Sequence, residues 1–235
     1  MHPLDLFFPR QVKCMFCGSE TKVFGVCDAC YKSLPFIKDP ACSKCGGSLN
    51  TLGSVCVECK NKNSYLDRCY AVFEYTKDIQ AKVISFKQGG VKHIGETFAY
   101  CIQEKFNNIE EKINLIIPVP ISNERRKVRG YNQSEILCNE LMDTNKVRLD
   151  ILVRPSDTPH QTGLDRKHRL KNLKDAFQVI DKSKVVCKTI LLVDDIYTTG
   201  STLNECARTL KLAGASRVIG LVLARASYKT DKLLN

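Results

Sequence analysis

The sequence predicts an α/β fold, a mainly parallel sheet flanked by helices, preceded by a small cysteine-rich module. Three observations carry this. Eight of the 13 cysteines fall in four C-x-x-C pairs before residue 60. From Cys69 onward, short apolar runs alternate with amphipathic stretches, as in a parallel sheet covered on both faces. One apolar run, Thr189 to Val193, is followed at once by two aspartates and a loop of Thr, Gly and Ser.

The cysteine-rich module is assigned to residues 1–62 and the α/β domain to 63–235, with 61–68 as the joining segment. Residues 14 to 60 lack helical periodicity and repeat one small unit twice. Cys14 and Cys17, then Gly18, precede Cys27 and Cys30; Cys42 and Cys45, then Gly46, precede Cys56 and Cys59. Each C-x-x-C places two thiolates on one tight turn, and two turns complete a tetrahedral S4 site, which makes two structural Zn²⁺ ions the expected cofactors. The duplication makes sequential pairing the simplest: Cys14, Cys17, Cys27 and Cys30 on one ion, Cys42, Cys45, Cys56 and Cys59 on the other. An interleaved arrangement would also give four ligands to each.

In the second part, Cys69 to Tyr75 reads as a strand. Asp78 to Phe86 and Ile94 to Phe106 read as helices, broken at Gly89 and Gly90. Ile113 to Val119 is a buried strand that stops at Pro118 and Pro120, and Asn132 to Met142 a helix. Leu149 to Val153 and Phe177 to Ile180 read as further strands on either side of a polar, basic stretch. Thr189 to Val193 is a buried strand, Thr202 to Leu212 a helix stopped near Gly214, and Arg217 to Ala224 a last buried strand.

Lys and Arg outnumber Asp and Glu by 36 to 25, a net charge of +11 that two zinc–thiolate sites would lower but not cancel. A basic surface attracts polyphosphates, nucleic acid or an acidic partner, although such charge also serves only to solvate helix faces. The start, Met1 to Pro9, has no basic n-region and no long apolar run, so it is read as a packing anchor at Phe7 and Phe8. No apolar stretch approaches a membrane span, so no membrane insertion is expected. The odd cysteine count and the C-x-x-C pairing argue against a secreted disulfide framework and for the reducing cytoplasm.

The stretch from Asp194 to Thr202 is the most informative. Backbone N–H groups at a helix N-terminus, with the hydroxyls of Thr198, Thr199, Ser201 and Thr202, can cradle a phosphate, and Gly200 lets it come close. Asp194 and Asp195, at the carboxyl end of a strand, can accept hydrogen bonds from ribose hydroxyls or sit beside a Mg²⁺ complex. A strand terminus followed by a helix cap would explain either half alone; their conjunction points to a phosphorylated ribose.

VDDIYTTGST, residues 193–202, resembles the phosphoribosyl diphosphate (PRPP) motif of type I phosphoribosyltransferases. Ile117 to Pro120, then RRKVRGYNQ over 125–133, then residues 160–172, together with the LFFP start and the doubled cysteine unit, resemble the ComF family of competence proteins, of ComFC and GntX type. The resemblance runs nearly end to end. It implies that Asp194 and Asp195 contact the ribose, that Thr198, Thr199, Gly200, Ser201 and Thr202 hold the 5-phosphate, and that Val119 and Pro120 sit at the diphosphate loop. Arg125, Arg126 and Arg129 follow, placed to neutralise diphosphate. Residues 158–172 would form a hood over the site, and PRPP would bring Mg²⁺.

The basic clusters also have their own reading as phosphate or nucleic-acid contacts, with Tyr131 as a ring able to stack on a base. His160 and His168 have no assigned role. The resemblance implies cytoplasmic handling of single-stranded DNA during natural transformation, with a ComFA-like helicase as partner. A phosphoribosyltransferase acting on an unknown acceptor, a non-catalytic PRPP sensor and a role in nutrient use are the alternatives, because a fold and a motif do not fix a pathway.

Overall fold

The structure is a computed structural model that describes residues 12–21, 25–50, 53–88, 92–139, 141, 143–155 and 173–226. Phe7, Phe8, Gly89, Gly90, His160, His168 and the expected hood at 158–172 lie outside the described residues.

The cysteine-rich module contains β1 (Val12–Lys13), β2 (Glu20–Thr21), α1 (Asp28–Ser33) and α2 (Val57–Lys60). The two short helices each begin just after the first cysteine of a second C-x-x-C pair, so the module is not wholly free of helix as expected. The α/β part runs β3 (Arg68–Glu74), α3 (Lys77–Lys87), α4 (Lys92–Asn107), β4 (Leu115–Pro118), α5 (Asn123–Arg129), α6 (Gln133–Asn139), β5 (Leu152–Val153), β6 (Gln178–Val179), β7 (Thr189–Tyr197), α7 (Ser201–Leu212) and β8 (Arg217–Arg225).

Four of these strands form one wholly parallel sheet in the order β3-β8-β7-β4. Alternate residues of β7 serve opposite faces, the period-two pattern of a strand buried on both sides. Leu191 and Val193 pack with Val83, Phe98, Ile102 and Leu137 from α3, α4 and α6. Ile190 and Leu192 pack with Leu203, Cys206 and Leu210 from α7, and with Cys42, Cys45 and Cys59 of the cysteine-rich module. The module therefore supplies part of the sheet's own core.

The same module covers the outer edge of β3. Phe36 bridges Phe73 in antiparallel sense, Ile37 N–H donates to Val72 O at 2.8 Å, and Glu74 N–H donates to Pro35 O at 2.8 Å. An edge that would otherwise offer unpaired backbone groups is satisfied within the chain.

Several elements differ from the sequence expectation. β7 does not stop at Val193 but continues through both aspartates to Tyr197. β8 is long enough to go on pairing it, with Asp194 opposite Val222 and Tyr197 opposite Arg225, after β4 has ended opposite Val193. β5 and β6 are shorter than expected and form their own antiparallel pair outside the main sheet. The helix expected over Asn132 to Met142 is shorter, Gln133–Asn139. The basic run after β4 is itself a helix, α5, started by the Ser122 side chain accepting from the Arg125 N–H. Of the scattered cysteines, Cys69, Cys101, Cys138 and Cys206 are buried and Cys187 is exposed. No helix among the described residues is long and apolar enough to cross a membrane.

Candidate ribose-phosphate site and paired zinc ribbons

The thiols fall into two groups of four, and within each group the sulfurs all lie within 4.8 Å of one another. They are Cys14, Cys17, Cys27 and Cys30, and Cys42, Cys45, Cys56 and Cys59, which is the sequential grouping. Four convergent thiols without a carboxylate or an open position fit a closed, structural Zn²⁺. Gly18 and Gly46 are left-handed, at φ +77° and +73°, as the knuckle turn requires. Gly46 has a second reason: a Cβ there would stand 2.7 Å from the Ala71 N, so its absence lets the second knuckle lie directly on β3. The second group is the deeper, with Cys42, Cys45 and Cys59 each 1% exposed, whereas Cys17 of the first is exposed.

The candidate ligand site lies at the carboxyl edge of the sheet, where β7 overruns β4 and α7 begins. Asp194 Oδ1 accepts from the Ser134 hydroxyl at 3.2 Å and from the Asp195 N–H at 2.9 Å. Desolvation, and then the charge of Asp195, push the Asp194 carboxyl up to about 7. Asp195 Oδ2 is paired with Lys87 Nζ at 2.6 Å, reaching in from the end of α3. The two acids are thus differently held, one by a hydroxyl and an amide and the other by an ammonium group.

Two residues on, the chain enters the loop. Thr199 Oγ1 shares a hydrogen bond with Ser201 Oγ at 2.6 Å and accepts from the Ser201 N–H at 3.3 Å. Gly200 has φ +80°, and any Cβ there would collide with the Tyr197 hydroxyl and ring. Thr198, Thr199, Ser201 and Thr202 are all half-buried around this turn at the head of the twelve-residue α7. A cleft of about 290 Å³ opens between the loop and the second ribbon, lined by Lys44, Lys62, Thr199, Ser201 and Asn204, with no acidic residue among the described residues on its wall.

On the β4 side, Val119 N–H donates to Val193 O at 2.9 Å and Val119 O accepts from Asn132 Nδ2 at 3.0 Å. Pro120 has no N–H. Both therefore shape the turn. Arg126 is ion-paired with Glu135, and Arg129 Nη1 donates to Gln133 Oε1 at 3.2 Å. Arg125 is half-buried at the first turn of α5. The Gln133 side chain is buried, and its Nε2 has no hydrogen-bond partner among the described residues. Tyr131 does not stand free as a stacking platform: its hydroxyl donates to Phe86 O, and its ring packs 6.3 Å from that of Phe86.

The structure thus brings Asp194, Asp195 and the loop 198–202 together, with Val119 and Pro120 on the adjoining strand end and Arg125, Arg126 and Arg129 on α5 beyond it. Sequence reasoning gave no role to Lys87, Ser134 or Tyr197. Asn132 and Gln133 stood in the quoted motif but without a function.

A parallel sheet with an acid pair and a hydroxyl-rich turn at its carboxyl edge, joined to paired zinc ribbons, defines a phosphoribosyltransferase-type domain with a double zinc ribbon. Residues 3–60 match the double zinc ribbon domain family and residues 127–234 the phosphoribosyl transferase domain family. Competence protein F of Haemophilus influenzae is 30% identical over 91% of this chain and 97% of its own length. DNA utilization protein YhgH of Escherichia coli is 28% identical over 83% and 88%, and competence protein ComFC of Bacillus subtilis 26% identical over 86% and 84%. The chain belongs to the ComF family.

Proposed function

We propose that this protein binds PRPP with Mg²⁺ at the β7–α7 turn, binds single-stranded DNA, and acts in cytoplasmic DNA handling during natural transformation, alongside a helicase-like partner. The observation that carries the first part is the half-buried cup of Thr198, Thr199, Gly200, Ser201 and Thr202 beside the Asp194–Asp195 pair. The cup presents N–H groups and hydroxyls to a phosphate at a helix N-terminus, and the acids accept from ribose hydroxyls one strand turn away. Arg125, in the first turn of α5, follows closely on the turn after β4, where the departing diphosphate of PRPP would gather charge. Mg²⁺ bound to that diphosphate would supply further charge neutralisation. Membership of the ComF family, with relatives named for competence and DNA utilization, supports the DNA role. Free thiols arranged for zinc support a reducing cytoplasm.

Calorimetric titration of the zinc-loaded protein with PRPP and Mg²⁺ tests the site. Wild type is expected to bind. Gly200→Ala places a methyl group against Tyr197 in a left-handed turn and is expected to weaken binding by about tenfold or more, at a strain cost of roughly 1–2 kcal/mol. No heat with wild type, or equal affinity in the variant, would overturn the assignment. With candidate acceptors added, acceptor-dependent diphosphate release would favour a transferase, and tight binding without turnover a sensor.

The DNA reading rests on α5, where Arg126 and Lys127 are exposed and Arg125 and Arg129 half-buried. Arg126→Ala with Arg129→Ala is expected to weaken single-stranded DNA uniformly across sequences. It should also reduce the slope of log K against log salt by about 1 or more. An unchanged slope would remove α5 from the DNA contact.

A further inference from the structure

Arg225 is the last residue of β8 and is 3% exposed, deeper than any other arginine among the described residues. A buried guanidinium needs a counter-charge and acceptors for five N–H groups. Glu58, in α2 beside two zinc ligands, takes one: its Oε2 accepts from Arg225 Nη2 at 2.7 Å. Nε and Nη1 are buried and have no hydrogen-bond acceptor among the described residues. What lies alongside them is the second cysteine cluster. A Cβ added to Gly47 would stand 3.8 Å from Arg225 Nε and 3.6 Å from Cys45 Sγ, which places both groups around one small residue.

The electrostatics make sense of this placement. Four thiolates on one Zn²⁺ leave a net charge of −2, and here the cluster sits in the same apolar core as Leu192 and Val222. A buried anion of that size is costly without a cation beside it. Lys44 is close, but its ammonium group donates to two carbonyl oxygens, Cys59 O at 3.3 Å and Lys62 O at 2.8 Å. Arg225 is the buried cation that lies beside the cluster.

Its other face leads to the ligand site. The Arg225 guanidinium carbon lies 5.1 Å from the Tyr197 ring centroid, and the two residues are register partners at the ends of β8 and β7. Tyr197 in turn fills the space where Gly200 would carry a side chain. A continuous set of contacts therefore runs from Cys45 through Arg225 and Tyr197 to the turn at Gly200.

We propose that Arg225 is a positioning residue that couples the second zinc ribbon to the phosphate loop, neutralising the zinc–thiolate cluster on one side and holding Tyr197 against Gly200 on the other. The loop keeps its ligand-ready shape only while that zinc site is filled. The consequence for PRPP rests on the reading of the loop given above, whereas the coupling itself does not.

The test is amide hydrogen exchange by mass spectrometry on the full-length, zinc-loaded protein. In Arg225→Gln, amides of residues 197–203 are expected to exchange about tenfold faster, while those of 190–193 in the same strand stay at the wild-type rate. A chelator should remove one of the two zinc ions about tenfold faster than from wild type, because the cluster has lost its counter-charge. Arg225→Lys keeps the charge without the planar fork and should restore zinc retention more than loop protection. Unchanged exchange at 197–203 in Arg225→Gln overturns the coupling. If that variant does not fold, Tyr197→Leu decides: faster exchange at 198–203 with wild-type zinc retention supports the relay, and unchanged exchange sinks it. Failure of wild type to bind PRPP would sink the ribose-phosphate reading alone, since the exchange result does not depend on it.

Discussion

Cys45→Ser is expected to destabilise the parallel sheet, and not only the ribbon that contains it. Cys42, Cys45 and Cys59 share one apolar cluster with Ile190 and Leu192 of β7 and with Leu203 and Leu210 of α7. Losing a ligand to the second zinc removes part of a metal-binding free energy that reaches about 10–16 kcal/mol for isolated structural sites. It also releases the cover from one face of the sheet. If about 5 kcal/mol of that appears as lost stability, the melting temperature falls by roughly 10–20 °C in a chain of this size.

Cys17→Ser in the first ribbon is the comparison. That thiol is exposed, and the first ribbon reaches the opposite face of the sheet mainly through Met15, Phe16 and Tyr31 at the margin of the core. Its loss is expected to free residues 14–30 while the main transition moves by only a few degrees. Far-UV circular dichroism during heating, with zinc counted before and after, separates the two. Equal shifts in both variants would show that the second ribbon is not part of the sheet's core.

This asymmetry was only half legible in the sequence. The four C-x-x-C pairs give the ligands and the two-fold repeat, because zinc chemistry fixes both residue type and local spacing. They cannot say which ribbon lies under the sheet, since that depends on Gly46 approaching Ala71 across 25 positions of chain. The turn at Thr198 to Thr202 was legible for the same local reason: the strand, the acids, the hydroxyls and the glycine are contiguous. Its support was not. Ser134 reaches Asp194 from 60 residues away, and Lys87 reaches Asp195 from another helix. Arg225 reads in sequence as the polar end of an apolar strand. Helix α5 was hidden for a different reason. Its one apolar residue after the cap, Val128, is 88% exposed, so no periodicity marks it, and only Ser122 signals its start.

Asp194→Asn is expected to weaken PRPP binding and at the same time stabilise the unliganded protein at alkaline pH. The two effects have one cause. The carboxyl of Asp194 is raised to about 7 by desolvation and by the neighbouring charge of Asp195, whereas an unfolded aspartate titrates near about 4. The folded state therefore binds more protons between those two values. The stabilisation that follows is complete below about pH 4 and is lost as pH rises through about 7. At pH 8 the folded protein holds a desolvated carboxylate beside a second one, at a cost on the order of 2–4 kcal/mol. Asparagine keeps an oxygen for the Ser134 hydroxyl and the Asp195 N–H but carries no charge, so that cost disappears. The difference in unfolding free energy between pH 5 and pH 8 should accordingly be smaller in the variant by about 2–4 kcal/mol. Binding should change the other way. Hydrogen bonds from ribose hydroxyls to a carboxylate are worth roughly 1.5–3 kcal/mol each, so loss of the charge is expected to weaken PRPP by about 10- to 100-fold. With Asp195→Asn added, the site loses its remaining acid and the ion pair to Lys87, and affinity should fall further. In wild type, affinity should decline as pH drops below about 7, and Asp194→Asn should lack that component. Denaturant unfolding and calorimetric titration across the same pH series read both effects. A variant as sensitive to pH as wild type would mean that Asp194 is not the group that titrates. Wild-type affinity in that variant would mean that the acid pair does not hold the ribose.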